Sequence, residues 1–283
     1  MTGLIVDTAV IPLAGLATRM QPLARSVPKE MLPLGDRPVL HYVVEELVDA
    51  GVEHIVFVVG TRSETIERYF HHLPDLDERL NQSGTGRSRD PLWQKIERCS
   101  FSFVRQDEPL GIADAVRRAQ PVIRDRWYFV HMGDSIIWQD AGLLSRMISC
   151  QAEASVDATI AVSRRLPHCS STRALAEPAA GVDPAGQPYD VARITEAGER
   201  QREGGRHTQP FVIGRYLLKG PMPSPGQCAS DSGKFGGLTP WLSKGSTASV
   251  RAVSLLDTEY LLGAGTLGEY QTSWRRWLDE VGR

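Results

Sequence analysis

Two short apolar runs separated by a helix-spaced segment constrain this chain more than any other feature. The first, Thr8 to Leu13, ends in small residues and reads as a buried strand entering a loop. The segment Pro38 to Ala50 places Val39, Leu40, Val43, Val44 and Leu47 at helical spacing. Pro38 stands at its start and Gly51 just past its end, residues that open and close helices. His54 to Gly60 is the second apolar run, and Ser63 to Phe70 begins another helix. Strand, loop, helix, strand, helix predicts a parallel sheet with crossover helices, because parallel neighbours cannot be joined by a hairpin.

The same alternation continues with a strand at Phe101 to Gln106, a helix at Gly111 to Ala119 and strands at Trp127 to Met132 and Ala158 to Ser163. Leu73 to Arg98 is polar and reads as an exposed excursion. Later, Glu177 to Pro188 reads as a turn or hairpin, and Phe211 to Leu218 and Ser249 to Leu256 as strands. Pro221 to Gly237 is a long loop region, and Gly268 to Val281 a closing amphipathic helix. No repeat or interdomain linker is visible. The chain reads as one domain over residues 1–283.

The loop after the first run carries the chemistry. Ala14, Gly15 and Ala17 let backbone N–H groups approach a ligand closely, and such groups are good phosphate donors. Arg19 adds a guanidinium that can grip phosphate with two bonds, and Lys29 adds a point charge. Two cations on a small-residue loop suit a nucleoside triphosphate. The loop is neither G-x-x-x-x-G-K-[ST] nor G-x-G-x-x-G, so those two phosphate-binding folds are disfavoured.

Net charge is −2, which argues against nucleic acid or an anionic membrane as partner. No stretch approaches the roughly 18 apolar residues of a membrane span, and the N-terminus lacks the basic and apolar regions of a signal peptide. Cys99, Cys150, Cys169 and Cys228 are too scattered for a disulfide framework or zinc site. A cytoplasmic protein with reduced thiols is expected.

The stretch VIPLAGLATRMQPLARSVPKEMLPLGDRPVLHYVVEELVDAG resembles the N-terminal signature of the sugar-1-phosphate nucleotidyltransferases, above all the bacterial UTP–glucose-1-phosphate uridylyltransferases. Weaker agreement continues through RQDEPLGIADAV, HMGDSII, FVIGRYLL and LGAGTLGEY. The resemblance implies an α/β fold with a Rossmann-like, mainly parallel mixed sheet flanked by helices, of the nucleotide-diphospho-sugar transferase type. A nucleotide-binding half, about 1–140, would precede an acceptor-binding and possible oligomerisation half, about 141–283. The implied reaction is in-line attack of a sugar-1-phosphate on the α-phosphorus of UTP, with Mg2+ as cofactor and a dimer or tetramer as assembly. Arg19, Lys29 and Asp134 would be catalytic, with Asp134 also the metal ligand. Leu13, Ala14, Gly15, Leu16, Ala17, Thr18, Glu30, Gln106 and Gly111 would bind the nucleotide. Glu30 would orient the loop and Lys29, while Gln106 would offer a donor and an acceptor to a pyrimidine edge. Gly133, Arg193, Thr195, Glu196 and Gly214 would face the acceptor.

Several positions depart from the resembled pattern. Ala17 replaces a Gly, and a methyl group restricts φ there. Thr195 and Glu196 stand where the pattern has Glu and the Lys that binds the sugar phosphate. Arg193 shares a strand face with Thr195 and is one source of the missing charge. Gly263 replaces a second metal-binding Asp, with Asp257 or Glu259 as stand-ins. The stretch from Ser232 to Leu242 loses acidic positions. Two readings follow: an active transferase with an unusual sugar or cyclitol phosphate acceptor, or a non-catalytic nucleotide-binding regulatory or interaction protein on the same fold. A hydrolase is disfavoured, because no Ser/His/Asp or Cys/His arrangement is visible. Trp274 and Trp277 read as packing residues, and His71-His72 as a solvated pair.

Overall fold

The structure, a computed structural model, describes residues 4–71, 78–79, 82–83, 91–96, 99–165, 173–184, 188–195, 209–221, 238–242 and 248–281. The first elements are β1 (Thr8–Leu13), β2 (Pro33–Leu34), β3 (Arg37–Pro38), α1 (Val39–Asp49), β4 (His54–Val59) and α2 (Glu64–Phe70). Then come α3 (Pro91–Ile96), β5 (Ser100–Arg105), α4 (Ile112–Ala119), β6 (Trp127–His131), β7 (Ser135–Trp138), α5 (Leu143–Glu153) and β8 (Ala158–Ser163). The last described elements are β9 (Leu175–Pro178), β10 (Tyr189–Thr195), β11 (Phe211–Lys219), α6 (Thr239–Leu242), β12 (Val250–Ser254), β13 (Tyr260–Gly263) and α7 (Leu267–Val281).

A nine-stranded sheet runs through both halves in the order β5-β4-β1-β6-β11-β8-β12-β10-β9. The first four strands are parallel, as the alternating sequence predicts. β11 enters antiparallel between β6 and β8, β12 lies parallel to β8, and β10 and β9 close the far edge antiparallel. The parallel strands are apolar on both faces because both are covered. Ile11, Phe57 and Val59 face one core with α1, while Val10, Val56 and Val58 face the other with α4.

Helix α1 buries Leu40, Val43, Val44 and Leu47 completely. Each such side chain contributes about 1.5–3 kcal/mol relative to exposure. Gly51 ends the helix at φ +94°, where the N–H groups of Gly51 and Val52 cap the carbonyls of Val48 and Leu47. α3 corrects part of the expected polar excursion, since its Trp93 packs on the rings of His41, Tyr69 and Phe70. Trp274 and Trp277 stack edge to face, and Trp277 covers Gly35, so both pack as expected. His71 lies edge-on to Phe103, whereas His72 is outside the described residues. Cys99 and Cys150 are free, and burial raises both thiols, Cys99 to about 11. Among the described residues no helix is long and apolar enough to cross a membrane.

The carboxyl ends of adjacent parallel strands place the site. β1 leads into the loop Leu13–Ala17, β4 into Gly60–Ser63, and β6 into Met132–Asp134. Loops diverging there form the crevice in which open α/β sheets bind ligands. β7 and β13 form a separate ribbon that pairs Ser135 with Gly263, bringing the segment after β13 back to Asp134.

Candidate active site

The loop after β1 forms one wall of a groove. Leu13, Ala14, Gly15, Leu16 and Ala17 line it, facing Lys29, Glu30 and Arg62. Gly15 has no atom within 4 Å of the place a Cβ would take, so its backbone stands open to a ligand. Ala17 adopts φ +51° and ψ +41°, the conformation that glycine adopts freely. The loop thus keeps its course and carries roughly 1–2 kcal/mol of strain at this residue. Thr18 and Arg19 follow on an exposed 3-10 turn, Thr18–Met20. Arg62 is a cation that the sequence did not single out, and it is steadied by the Ala24 carbonyl at 2.9 Å.

At the inner end of the groove Lys29 pairs with Asp134, and its Nζ lies 3.8 Å from Glu30 Oε1. The 3-10 turn Lys29–Met31 and the end of β6 bring these residues together across 105 positions. Burial disfavours the Lys29 ammonium, yet Asp134 and Glu30 hold its pKa above the usual lysine range. Burial pushes the Asp134 carboxyl up, but Lys29, Arg173 and Arg19 overcome it and hold it at about 2. Glu30 goes the other way: burial raises it to about 7 against the pull of Lys29. The site therefore presents one firmly ionised carboxylate and one that titrates near neutrality.

The segment after β13 completes this end. The Ala264 N–H donates to the Asp134 carbonyl at 2.8 Å. A Cβ on Gly265 would meet Glu269 Oε2 at 2.7 Å and Asp134 Oδ2 at 3.5 Å, so two carboxylates share the space that this glycine leaves open. Thr266-x-x-Glu269 at the start of α7 has the pattern of a helix capping box. The Glu269 N–H does bond Thr266 Oγ1, but the Glu269 carboxylate turns toward Asp134 and ion-pairs with Arg173 at 3.6 Å. The expected stand-ins for the missing Asp at 263 are corrected. Glu259 is consumed by Arg146 and the N–H groups of Ala141 and Leu256, and Asp257 is an exposed partner of Arg165. Among the described residues no group of three or more His, Cys, Asp or Glu side chains fits a metal. Asp134 with Glu269 is a pair of hard oxygen donors, which suits a divalent cation that also takes phosphate oxygens.

On the other side lies a cavity of about 130 Å³ lined by Gly15, Lys29, Gln106, Gly111, Gly133 and Asp134 among others. Gln106 Nε2 donates to the Gly111 carbonyl at 3.1 Å and to Asp114 Oδ2 at 2.8 Å. The expectation that Gln106 offers both a donor and an acceptor is therefore corrected, because its amide nitrogen is taken and only Oε1 remains.

The expected acceptor residues divide. Gly133 lines the cavity, and a Cβ there would collide with Leu13 and crowd Glu30 Cγ at 3.3 Å. Gly214 sits at a bulge in β11 with φ +79°, where a Cβ would press on Met132 Cγ at 2.6 Å. It packs the strand and is not among the described cavity-lining residues. Arg193 and Thr195 lie on β10 opposite Glu177 and Leu175. That register sets Thr195 against Leu175, two residues past Arg173, a cation with no local signal in the sequence. Glu196 and residues 232–237 lie outside the described residues.

Comparison with known proteins supplies the family. A family model described as nucleotidyl transferase matches residues 8–169. A UTP–glucose-1-phosphate uridylyltransferase of Bacillus subtilis (strain 168) is 30% identical over 217 residues, which is 75% of this chain and 70% of that protein. UTP–glucose-1-phosphate uridylyltransferase 2 of Staphylococcus saprophyticus is 30% identical over 218 residues, covering 75% and 71%. The solved structure of a UTP-bound UGPase from Acinetobacter baumannii superposes with a TM-score of 0.78 at 28% identity, covering 98% of this chain and 95% of that one. With the loop after β1, the Lys29–Asp134 pair and these matches together, the chain belongs to the nucleotidyl transferase family.

Proposed function

We propose that this protein transfers a uridylyl group from UTP to a sugar-1-phosphate, with glucose-1-phosphate the default acceptor, and releases pyrophosphate. One observation carries the reading: the buried Lys29–Asp134 pair at the inner end of a groove walled by an open small-residue loop. The acceptor phosphate oxygen attacks the α-phosphorus, a new P–O bond forms, and the bond from α-phosphorus to the bridging oxygen breaks. Lys29 neutralises charge growing on the α-phosphate, and Arg19 and Arg62 hold the departing β and γ groups. The loop fixes the triphosphate for in-line attack. Gln106 Oε1 accepts from the base. Arg173, beside the end of β10, supplies a cation to the acceptor phosphate.

Asp134 and Glu269 would hold Mg2+, which when bound supplies charge neutralisation to the triphosphate. Glu269 then does the work of the carboxylate that Gly263 cannot offer. Glu269→Gln raises the Mg2+ concentration for half-maximal rate about tenfold or more and weakens Mn2+ binding in parallel. Adding Gly263→Asp restores both, since a Cβ at 263 meets nothing closer than 3.6 Å and points toward Glu269 Oε2, 4.0 Å away. Unchanged Mn2+ affinity in Glu269→Gln removes that residue from the metal site. A cytoplasmic location and a dimeric or tetrameric assembly complete the reading and follow from the resemblance.

The reading is tested by pyrophosphate release from purified protein with Mg2+, each common nucleoside triphosphate, and a panel of sugar-1-phosphates. Release that needs both UTP and glucose-1-phosphate is the expected result. Triphosphate binding with no release from any pair overturns it.

A further inference from the structure

The amide of Gln106 is held by acceptors at one end. Its nitrogen carries two donors and its oxygen none. Both donors are used, one on the Gly111 carbonyl and one on Asp114 Oδ2. A flipped amide would set its oxygen against a carbonyl oxygen and a carboxylate, so one orientation is favoured. Oε1 is turned away from both acceptors, and among the described residues no side-chain donor reaches it. Gln106 and Gly111 line the cavity that extends to Asp134.

Asp114 is the stronger of the two locks. The Gly111 carbonyl already accepts the Ala115 N–H at 3.1 Å, whereas the Asp114 bond is charge-assisted. Asp114 is 1% exposed and sits in the first turn of α4. Arg118 Nε donates to its Oδ2 at 2.6 Å, and Arg117 pairs with Oδ1. Burial raises this carboxyl, but its bonds to Gln106, Arg118 and Arg117 outweigh it and keep the group ionised. An ionised carboxylate has no proton to donate, so it cannot stabilise the flipped amide.

We propose that Asp114 is a positioning residue that sets base preference, holding Gln106 so that only an acceptor faces the nucleobase. That arrangement favours a base with an imide N–H, such as uracil. It disfavours cytosine, whose N3 is itself an acceptor. The proposal rests on the uridylyl-transfer reading.

The experiment compares kcat/KM for UTP and CTP, with saturating glucose-1-phosphate and Mg2+. Asp114→Ala lowers the UTP/CTP ratio about tenfold, through KM for UTP, with kcat changed by no more than about twofold. Asp114→Leu, which fills the space without an acceptor, gives the same loss and serves if the Ala variant misfolds. The double variant Arg117→Met/Arg118→Met breaks the same ion pairs but spares the bond to Gln106, and read at pH 8.5, where Asp114 stays ionised without its arginines, it keeps the ratio within about twofold. An unchanged ratio in the Asp114 variants, or an equal fall in the arginine variant, overturns the proposal. If the wild-type protein turns over neither nucleotide, the transfer reading fails instead. The same ratio is then read from UTP and CTP dissociation constants by titration calorimetry, which still decides the role of Asp114.

Discussion

Lys29→Ala lowers kcat for uridylyl transfer by about a thousandfold, while KM for UTP moves far less. On the proposed reading the ammonium serves the transition state. It sits at the inner end of the groove, buried, with Asp134 and Glu30 holding it charged. On that reading ground-state binding of the triphosphate is shared with the open loop, Arg19 and Arg62, so losing one cation leaves most of that affinity. On the proposed reading, the charge that appears on the α-phosphate only during attack has fewer partners and falls to Lys29. The same variant shifts the pH profile. Lys29 is the main group holding the Asp134 carboxyl at about 2 against burial. Without it the Asp134 pKa rises, so the residual rate is lost on the acid side at a higher pH than in the wild type. Steady-state kinetics across pH 5–9 measure both effects. Full turnover in Lys29→Ala, with the acid limb where it was, removes Lys29 from the chemistry.

The parts of this site that were legible in the sequence are those that lie close together in the chain. The loop from Leu13 to Met20 and the Lys29-Glu30 turn lie close together in the chain, and their small and charged residues mark them directly. The parallel strands were equally plain, because burial on both faces makes β1 and β4 continuous apolar runs. The ribbon of β7 and β13 was not legible. Its strands have four residues each and pair across more than 120 positions, and so short a run gives no period. The resemblance pointed to position 263, but Glu269, which this ribbon also brings to Asp134, was hidden with it. Glu269 reads as a capping residue three positions after Thr266, and only the fold shows its carboxylate turned the other way. Asp114, followed by Arg117 and Arg118, reads as ordinary helix-surface pairing at i,i+3 and i,i+4. Its burial and its bond to Gln106 are what change that meaning. Arg173 carries no local signal at all.

Arg215 is the case where a signal existed. On β11 it shares a face with Ile213 and Leu217, so its side chain must enter the core. It is fully buried there and grips Glu46 through two nitrogens, at 3.1 and 3.0 Å. It also donates to the hydroxyl and carbonyl of Ser135, the residue after Asp134, at 2.9 and 2.8 Å. Burial alone would push the Glu46 carboxyl up, but Arg215 and then His131 hold it at about 2. Arg215→Met therefore leaves a buried carboxylate without its main partner and costs about 3–5 kcal/mol of stability. His131, whose ring nitrogen stands 3.3 Å from Glu46, limits the damage at low pH. In the wild type its pKa is lowered by burial and by Arg215. With Arg215 gone and Glu46 still present, the imidazole takes a proton more readily. A pKa that is lowered less than in the wild type costs less stability as the pH falls. The variant should thus be less impaired at pH 5.5 than at pH 8 in urea denaturation. Replacing both partners, Arg215→Met with Glu46→Leu, recovers most of the loss because no charge is left buried. Where it folds, the double variant still transfers slowly, since Ser135, next to Asp134, loses both of its bonds from the Arg215 side chain. If the single and double variants are equally unstable, the burden lies in core packing and not in the stranded carboxylate.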